Sequence, residues 1–365
     1  MKNKISLIRI VMLLFLSCED NFTDIDRNFI LTEDLIQDID DVERLMGGAY
    51  NSLNYNNLIA RNSYASDEVR LGLGNLGEGV QEYQHAVVSG SGVAAGTWSG
   101  LYNALDNFNR VISNLDRIEI AEEDQERASS IRGQSLAICA MIHFDLLRLF
   151  ATDFNPNTPG AILVLSPLNY PEDSISQPRA TVGEVLAAIE DDLNTASTLI
   201  PESLNTNYEF FNLNAVAALK ARVALYTENY QEAIDQATIV IDNVPALSPG
   251  QYFEMFRANG APEDGTPTET IFQVERDNQD QRIGNLYTDD SERVSFSMST
   301  SLFSVFAEAD DIRLPLNVDL ETEITDITTT DYITISGLNQ EVPYEVFDIM
   351  GRQVKYGVIV NLMPE

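Results

Sequence analysis

From Leu31 to Ile241 the apolar residues recur mostly at three- and four-residue steps, the period of a helix that buries one face. Behind a capping sequence that begins at Thr32, the residues Leu35, Ile39, Val42, Leu45, Met46, Ala49, Tyr50 and Leu53 form one stripe. The glycine-rich stretch 61–96 has no sustained period and predicts a long irregular excursion. Trp98, Leu101, Tyr102, Leu105, Phe108, Ile112 and Leu115 restore the stripe. From Ile131 to Phe150 the chain is apolar around most of its circumference, which predicts a helix at the centre of a helical array. Asn155-Pro156-Asn157-Thr158-Pro159-Gly160 ends it, and Thr181 opens a further amphipathic helix that Pro201 closes after Leu199.

Two helices joined by a tight turn follow, Leu213 to Thr227 and Tyr230 to Ile241. Asn229-Tyr230-Gln231-Glu232-Ala233-Ile234, then Ala237 and Pro245, resembles the turn and second helix of a tetratricopeptide repeat. Such a pair cannot bury its own faces, so neighbouring pairs are expected to stack on it. Beyond about Glu323 the period changes to two, in Tyr332 to Ile335 and again in Tyr344 to Lys355. The expected organisation is a leader at 1–17, a helical body at 18–319 and a β-patterned tail at 320–365. Thr328-Thr329-Thr330 would separate the two patterns within that tail.

The leader follows from Lys2, Lys4 and Arg9 ahead of the apolar run Ile10 to Leu16, a secretory pattern too short to span a bilayer. The run stops at Ser17-Cys18, which resembles a lipobox, although Phe15 and Leu16 stand where leucine and a small residue are usual. Cys18 is therefore expected to carry acyl chains, palmitate among them, and to tether the mature protein to a membrane.

Charge narrows the partners. Asp and Glu number 57 against 22 Lys and Arg, a formal net charge of −35 that excludes nucleic acid. With two cysteines and two histidines there is no cluster at metal-ligand spacing and no disulfide framework, so no metal or cofactor is expected. The adjacent pairs Asp191-Asp192, Asp289-Asp290 and Asp310-Asp311 read as solvated faces, and His143 as a core histidine. No nucleophile elbow, phosphate loop or dinucleotide fingerprint is present, and an enzyme is not expected.

Short signatures in order resemble the SusD/RagB family of nutrient-binding outer-membrane lipoproteins. Gly48-Ala49-Tyr50-Asn51-Ser52-Leu53 is similar to its first helix, Ala65-Ser66-Asp67-Glu68 to its acidic motif and Trp98-Ser99-Gly100-Leu101-Tyr102 to its tryptophan-bearing helix. Gly133-Gln134-Ser135 through Leu149-Phe150 resembles its most legible stretch, and Arg179-Ala180-Thr181-Val182, Glu269-Thr270-Ile271-Phe272 and Asp310-Asp311-Ile312-Arg313 resemble later signposts. Cys139 and Gln134 stand where the family usually has arginine and glutamate, as if both members of a pair were replaced. The family also continues for a further hundred residues or so of helices, whereas this tail resembles a type IX secretion sorting domain.

The resemblance implies a mainly α fold, a SusD-like superhelix of tetratricopeptide-type helix pairs with long loops and a short β-rich tail. It implies a surface lipoprotein of the outer membrane that captures oligosaccharides or polysaccharides for a SusC-like TonB-dependent transporter. A helical-repeat scaffold or peptide-binding protein docking to that transporter is the alternative. Sugars need flat rings and planar polar groups, so the loop residues Tyr64, Asp67, Arg70, Asn75 and Tyr83, with Tyr287 from a later polar stretch, are the candidate ligand contacts.

Overall fold

The computed structural model describes residues 35–72, 74–168, 177–252, 269–274, 283–288 and 294–306, together with short strands between 327 and 358. The leader, Cys18, Thr32, Asp289-Asp290 and Asp310-Asp311 lie outside the described residues. Helix α1 spans Ile39–Asn51, later than the expected start, because Asp38 is the residue whose side chain accepts the first-turn Asp41 N–H. Its stripe Ile39, Val42, Met46, Ala49 and Tyr50 is buried, while Leu35 lies outside the helix and is exposed.

The stretch expected to be irregular is instead built of short elements. These are α2 (Asn56–Tyr64), β1 (Val69–Leu71) and the single turn α3 (Val80–Tyr83). Helix α4 (Gly92–Arg117) then begins within the glycine-rich stretch, and α5 (Gln125–Phe150) follows after a 3-10 turn. By length and composition the segment Glu122–Phe150 could cross a membrane, but it is the mostly buried centre of the array. Ile138, Ile142, Phe144, Leu146 and Leu147 are all inaccessible to solvent. Gly133 permits this centring: a Cβ there would stand 2.8 Å from Ile200 Cγ1 and 2.9 Å from Leu199 Cβ, inside van der Waals contact.

Helix α6 (Val182–Leu199) packs along α5 and starts with a reciprocal capping box between Thr181 and Glu184. Helix α7 (Leu213–Tyr226), capped by Asn212, pairs with α8 (Tyr230–Asn243) across a turn in which Glu228 adopts a left-handed φ of 59°. This is the expected repeat pair, and among the described residues it is stacked on one side only. Helix α8 has no buried residue, and Tyr230, Ile234 and Ile241 remain exposed on its outer face.

Two hydrophobic clusters result. The main one joins α1, α4, α5, α6 and α7. It is crossed by a polar tie in which the Tyr50 hydroxyl donates to Gln134 Oε1 at 2.8 Å and accepts the Phe211 N–H at 3.0 Å. Gln134 Nε2 in turn donates to Ser130, whereas Cys139 lies 3.9 Å from Asn109 Oδ1. Positions 134 and 139, where the family's usual glutamate and arginine are both replaced, have separate partners.

A smaller cluster forms where β1 pairs antiparallel with β2 (Phe296–Met298), ahead of the short helix α9 (Thr300–Val305). In the tail, β3 (Ile327–Thr329) pairs with β4 (Ile333–Ile335), and β5 (Pro343–Phe347) with β6 (Gln353–Val358). Thr328 and Thr329 belong to β3, so the threonine run is strand at two of its three positions and not a linker.

Candidate functional site

Pairing of β1 with β2 gathers the six sequence-selected residues into one region, across more than 200 positions of chain, yet most of them hold it together rather than face a ligand. Tyr64 is 1% exposed. Its ring stacks on Phe296 at 3.9 Å and its hydroxyl donates to the Leu286 carbonyl, so it offers no free face. Gly79 completes the enclosure: its φ is +62°, and a side chain there would run into the Tyr64 ring. Asn75 spends its amide on the Glu78 and Ser295 carbonyls at 2.8 and 3.2 Å and its oxygen on the Gly77 N–H at 2.8 Å. Tyr287 packs edge-on against Tyr64 and donates to Ser63 at 3.1 Å. In these three, packing and local hydrogen bonds already occupy groups that a sugar would need.

Asp67 is exposed and its backbone carbonyl accepts from Ser299 Oγ. Arg70 donates from Nε to Ser297 at 3.0 Å, and partial burial lowers its pKa. Tyr83 stays half-buried beside Phe296. Of the six, Asp67, Arg70 and Tyr83 keep some surface.

A better-formed concavity lies on α4. Trp98 and Tyr102 stand one helical turn apart, and beside them Ser99, Asn103 and Asp106 make a polar stripe at the same spacing. Residues 161–168 run across this face and leave a cleft of about 720 Å³, lined also by Ile162, Val164, Leu168 and Gln177. Beyond Ala161, whose carbonyl accepts the Ala180 N–H at 2.9 Å, side chains bond the backbone of the crossing segment. The Tyr102 hydroxyl donates to the Ile162 carbonyl at 3.0 Å and accepts the Ile162 N–H at 2.9 Å. Asn109 donates to the Val164 carbonyl at 3.0 Å, Asp106 accepts the Leu168 N–H at 2.7 Å, and Arg110 donates to the Leu168 carbonyl at 2.9 Å.

His143 belongs to this scaffold. Its Nε2 accepts the Val164 N–H at 3.4 Å, and Nδ1 faces the Cys139 carbonyl short of full hydrogen-bond geometry. Burial pushes its pKa down to about 4, so the ring is neutral, as its position in an apolar helix suggested. Trp98 is fixed too, edge-on to Phe150 at 4.9 Å with the Arg179 guanidinium 5.4 Å from its ring centroid. Arg179 is itself held by the carbonyls of Phe150 and Gly160 at 2.6 and 3.0 Å.

Against this fixed wall, Asn103 and Gln177 are exposed and make no hydrogen bond among the described residues. The cleft thus presents aromatic surface beside unspent amide groups, the combination that neutral sugars require. Sequence reading took Trp98 and Tyr102 only as core stripe. The signal that marks them is the polar stripe 99, 103, 106 directly alongside.

The sequence model of a family described as starch-binding and associating with the outer membrane matches residues 20–225, more than half of the chain. The chain belongs to the SusD-like family. Solved structures agree in fold. A SusD superfamily protein from Bacteroides thetaiotaomicron superposes with a TM-score of 0.65 at 18% identity, covering 88% of this chain and 69% of its own. One from Bacteroides vulgatus gives 0.64 at 21%, covering 76% and 64%. A laminarin binding SusD-like protein gives 0.52 at 18%, covering 63% and 50%. No curated protein sequence matches the chain. The SusD-like helical body accounts for the mostly α architecture expected from the sequence.

Proposed function

We propose that this SusD-like protein binds oligosaccharides in the Trp98 cleft and passes them to a SusC-like TonB-dependent barrel at the outer membrane, held there through an acylated Cys18. The observation that carries the binding role is the rigid Trp98–Tyr102 wall with free Asn103 and Gln177 amides at its edge. Asp67, Arg70 and Tyr83 supply a second polar edge on the β1 side of the molecule. The family description, starch-binding and associating with the outer membrane, supports both the ligand class and the location. The laminarin binding relative supports a glucan among the ligands to be tried.

Catalysis forms no part of this reading. His143 is committed to the scaffold, where its Nε2 accepts the Val164 N–H.

Calorimetric titration with a panel of neutral oligosaccharides tests the proposal. Asn103→Ala is expected to weaken binding about tenfold, the order of one lost hydrogen bond to a polar ligand, without changing the unfolding midpoint. Unchanged affinity in Asn103→Ala and in Trp98→Ala would move the ligand elsewhere. Export and anchoring are checked separately by mass spectrometry of the membrane fraction, where Cys18 should be acylated.

The exposed α8 stripe of Tyr230, Ile234 and Ile241 favours a second reading, a scaffold that docks a protein on its last repeat. Retention of transporter contact in a protein that binds no glycan would favour it.

A further inference from the structure

A second cleft, of about 600 Å³, lies between α1, the first turns of α5 and the chain that follows α6. Each helix gives it one face. On α1 the lining residues Glu43, Met46, Gly47 and Tyr50 recur at three- and four-residue steps, and on α5 Glu126, Arg127, Ser130, Ile131 and Gln134 do the same. Pro201, Leu204 and Phe210 form the third wall. From Glu43 to Tyr50 the cleft runs about 10 Å, and from Glu126 to Gln134 about 12 Å, at the rise of a helix. That is the reach of roughly three or four residues of extended chain.

The floor is fixed and apolar. Met46 and Ile131 are buried, and the Tyr50 ring is held edge-on to Phe108 at 5.6 Å. Its polar groups are spent on one another, the Tyr50 hydroxyl on Gln134 and Phe211 and the Gln134 amide on Ser130. Phe210 stands edge-on to Tyr50 at 6.1 Å and stays 38% exposed. Gly47 adds room: glycine weakens a helix interior, yet a Cβ here would meet nothing within 4 Å, so packing within the chain does not account for it.

The rim is acidic. Arg127 is engaged by Asp40, Glu43 and Asp124 at 2.8, 2.7 and 2.8 Å, whereas Glu123 and Glu126 are exposed and make no hydrogen bond or ion pair among the described residues. The neighbouring arginines are also taken, Arg44 by Asp41 and Arg132 by Asp116, each at 2.5 Å. A sugar would find the amide and hydroxyl of the floor already bonded, and an anion would meet carboxylates. What remains open is apolar surface beside unpaired negative charge, with an exposed aromatic ring that a cation can approach.

We propose that this cleft binds a short extended segment of a partner protein in which basic residues flank apolar ones. The apolar side chains rest on Met46, Tyr50 and Phe210, and the basic groups face Glu123 and Glu126. The proposal stands independently of glycan binding in the Trp98 cleft.

The probes are three labelled, end-blocked tetrapeptides, Lys-Leu-Phe-Lys, Glu-Leu-Phe-Glu and Lys-Ser-Ser-Lys, titrated by fluorescence anisotropy at low and at physiological salt. The native protein should bind the first about tenfold more tightly than either of the others, which lack the basic or the apolar half of the match. Gly47→Trp puts a ring into open space at the cleft and should reduce that binding about tenfold or more, while Gly47→Ala, which stiffens the helix without filling the cleft, should bind as the native protein does. Replacing Glu123 and Glu126 together by Gln should lower affinity roughly threefold and flatten its salt dependence. All three variants should keep the native unfolding midpoint or exceed it, and neutral oligosaccharide binding should not change. A native protein that binds none of the peptides, or all three alike, overturns the inference, as does native affinity for Lys-Leu-Phe-Lys in Gly47→Trp. Loss of oligosaccharide binding in Gly47→Trp with peptide binding intact would make the cleft a sugar subsite instead.

Discussion

Phe108 and Phe296 are both buried aromatic residues, yet they sit in different kinds of structure. Phe108 is fully buried between α1, α4 and α5 and meets Tyr50 edge-on at 5.6 Å, within a cluster that draws on five long helices. Phe296 is 1% exposed in a cluster of five buried residues, closed by a two-stranded sheet with three residues in each strand. The first is stabilised by many contacts that each helix presents as a continuous stripe. The second depends on one long-range pairing, and a two-stranded sheet of that size does not persist without its apolar plug. One molecule thus contains a body that should unfold as a unit and an appendage that should open first.

The strongest way to break this contrast is to empty each cluster in turn. Phe108→Ala should cost about 3–5 kcal/mol and lower the midpoint of global unfolding by roughly 2–4 °C for each kcal/mol. Phe296→Ala removes a ring of the same size, but its loss should appear first as faster hydrogen exchange through 64–83 and 286–299. The helical midpoint should move far less than for Phe108→Ala. Equal midpoint shifts, read by circular dichroism, would mean that the two clusters unfold together.

The same contrast explains what the sequence disclosed. The stripes of α1, α4 and α6 and the all-round apolar character of α5 are local periodicities, so the existence of these helices was readable, although α4 and α5 begin well before Trp98 and Ile131, the apolar positions that marked them. Even there, the start of α1 was misplaced, because Asp38 is a stronger cap than the nearby Thr32 pattern suggested. Nothing local in Val69-Arg70-Leu71 announces a partner at 296–298. That pairing is fixed by a register more than 200 residues distant, and it turned Tyr64, Asn75 and Tyr287 from apparent ligand groups into fasteners. The grouping of these residues was therefore legible and their roles were not. The Trp98 cleft was hidden for a related reason: its second wall is the 161–168 segment, whose place is set by side chains of α4 and not by any period of its own.

Buried titratable groups sharpen the picture of the helical body. Asp192 was read with Asp191 as a solvated face. The structure leaves Asp191 exposed and turns Asp192 inward, where burial first and the Asp191 charge second push its pKa up to about 7. A carboxyl with a raised folded-state pKa contributes stability that is complete below its unfolded value of 3.8 and is lost as pH rises through 7. His143 acts in the opposite sense. Its folded value of about 4 lies below the ordinary 6.5, so its contribution is complete above 6.5 and is lost as pH falls through 4. Between these limits the two trends offset each other. Asp192→Asn should therefore raise the midpoint at pH 8, by an amount of the order of 1–2 kcal/mol after solvent screening. The gain should disappear near pH 4, leaving a profile that declines on acidification below pH 6.5. A gain independent of pH would show that packing, and not ionisation, sets the effect.

The smallest expected effect separates fastening from packing within the appendage itself. Tyr64→Phe keeps the ring stacked on Phe296 and deletes only the hydroxyl that donates to the Leu286 carbonyl. Because that carbonyl is left buried beside an apolar ring, the cost should be about 1 kcal/mol, felt in the local opening equilibrium of 283–299 and not in the helical midpoint. Tyr287→Phe deletes a longer bond, 3.1 Å to Ser63 Oγ, at a half-buried position where water can replace it, so its cost should be smaller still. Neither change touches the Trp98 cleft, and glycan affinity should be the same in both variants as in the native protein. If Tyr64→Phe or Tyr287→Phe weakens glycan binding without altering hydrogen exchange at 283–299, the hydroxyl concerned contacts ligand after all, and that tyrosine joins Asp67, Arg70 and Tyr83 at the polar edge beside β1.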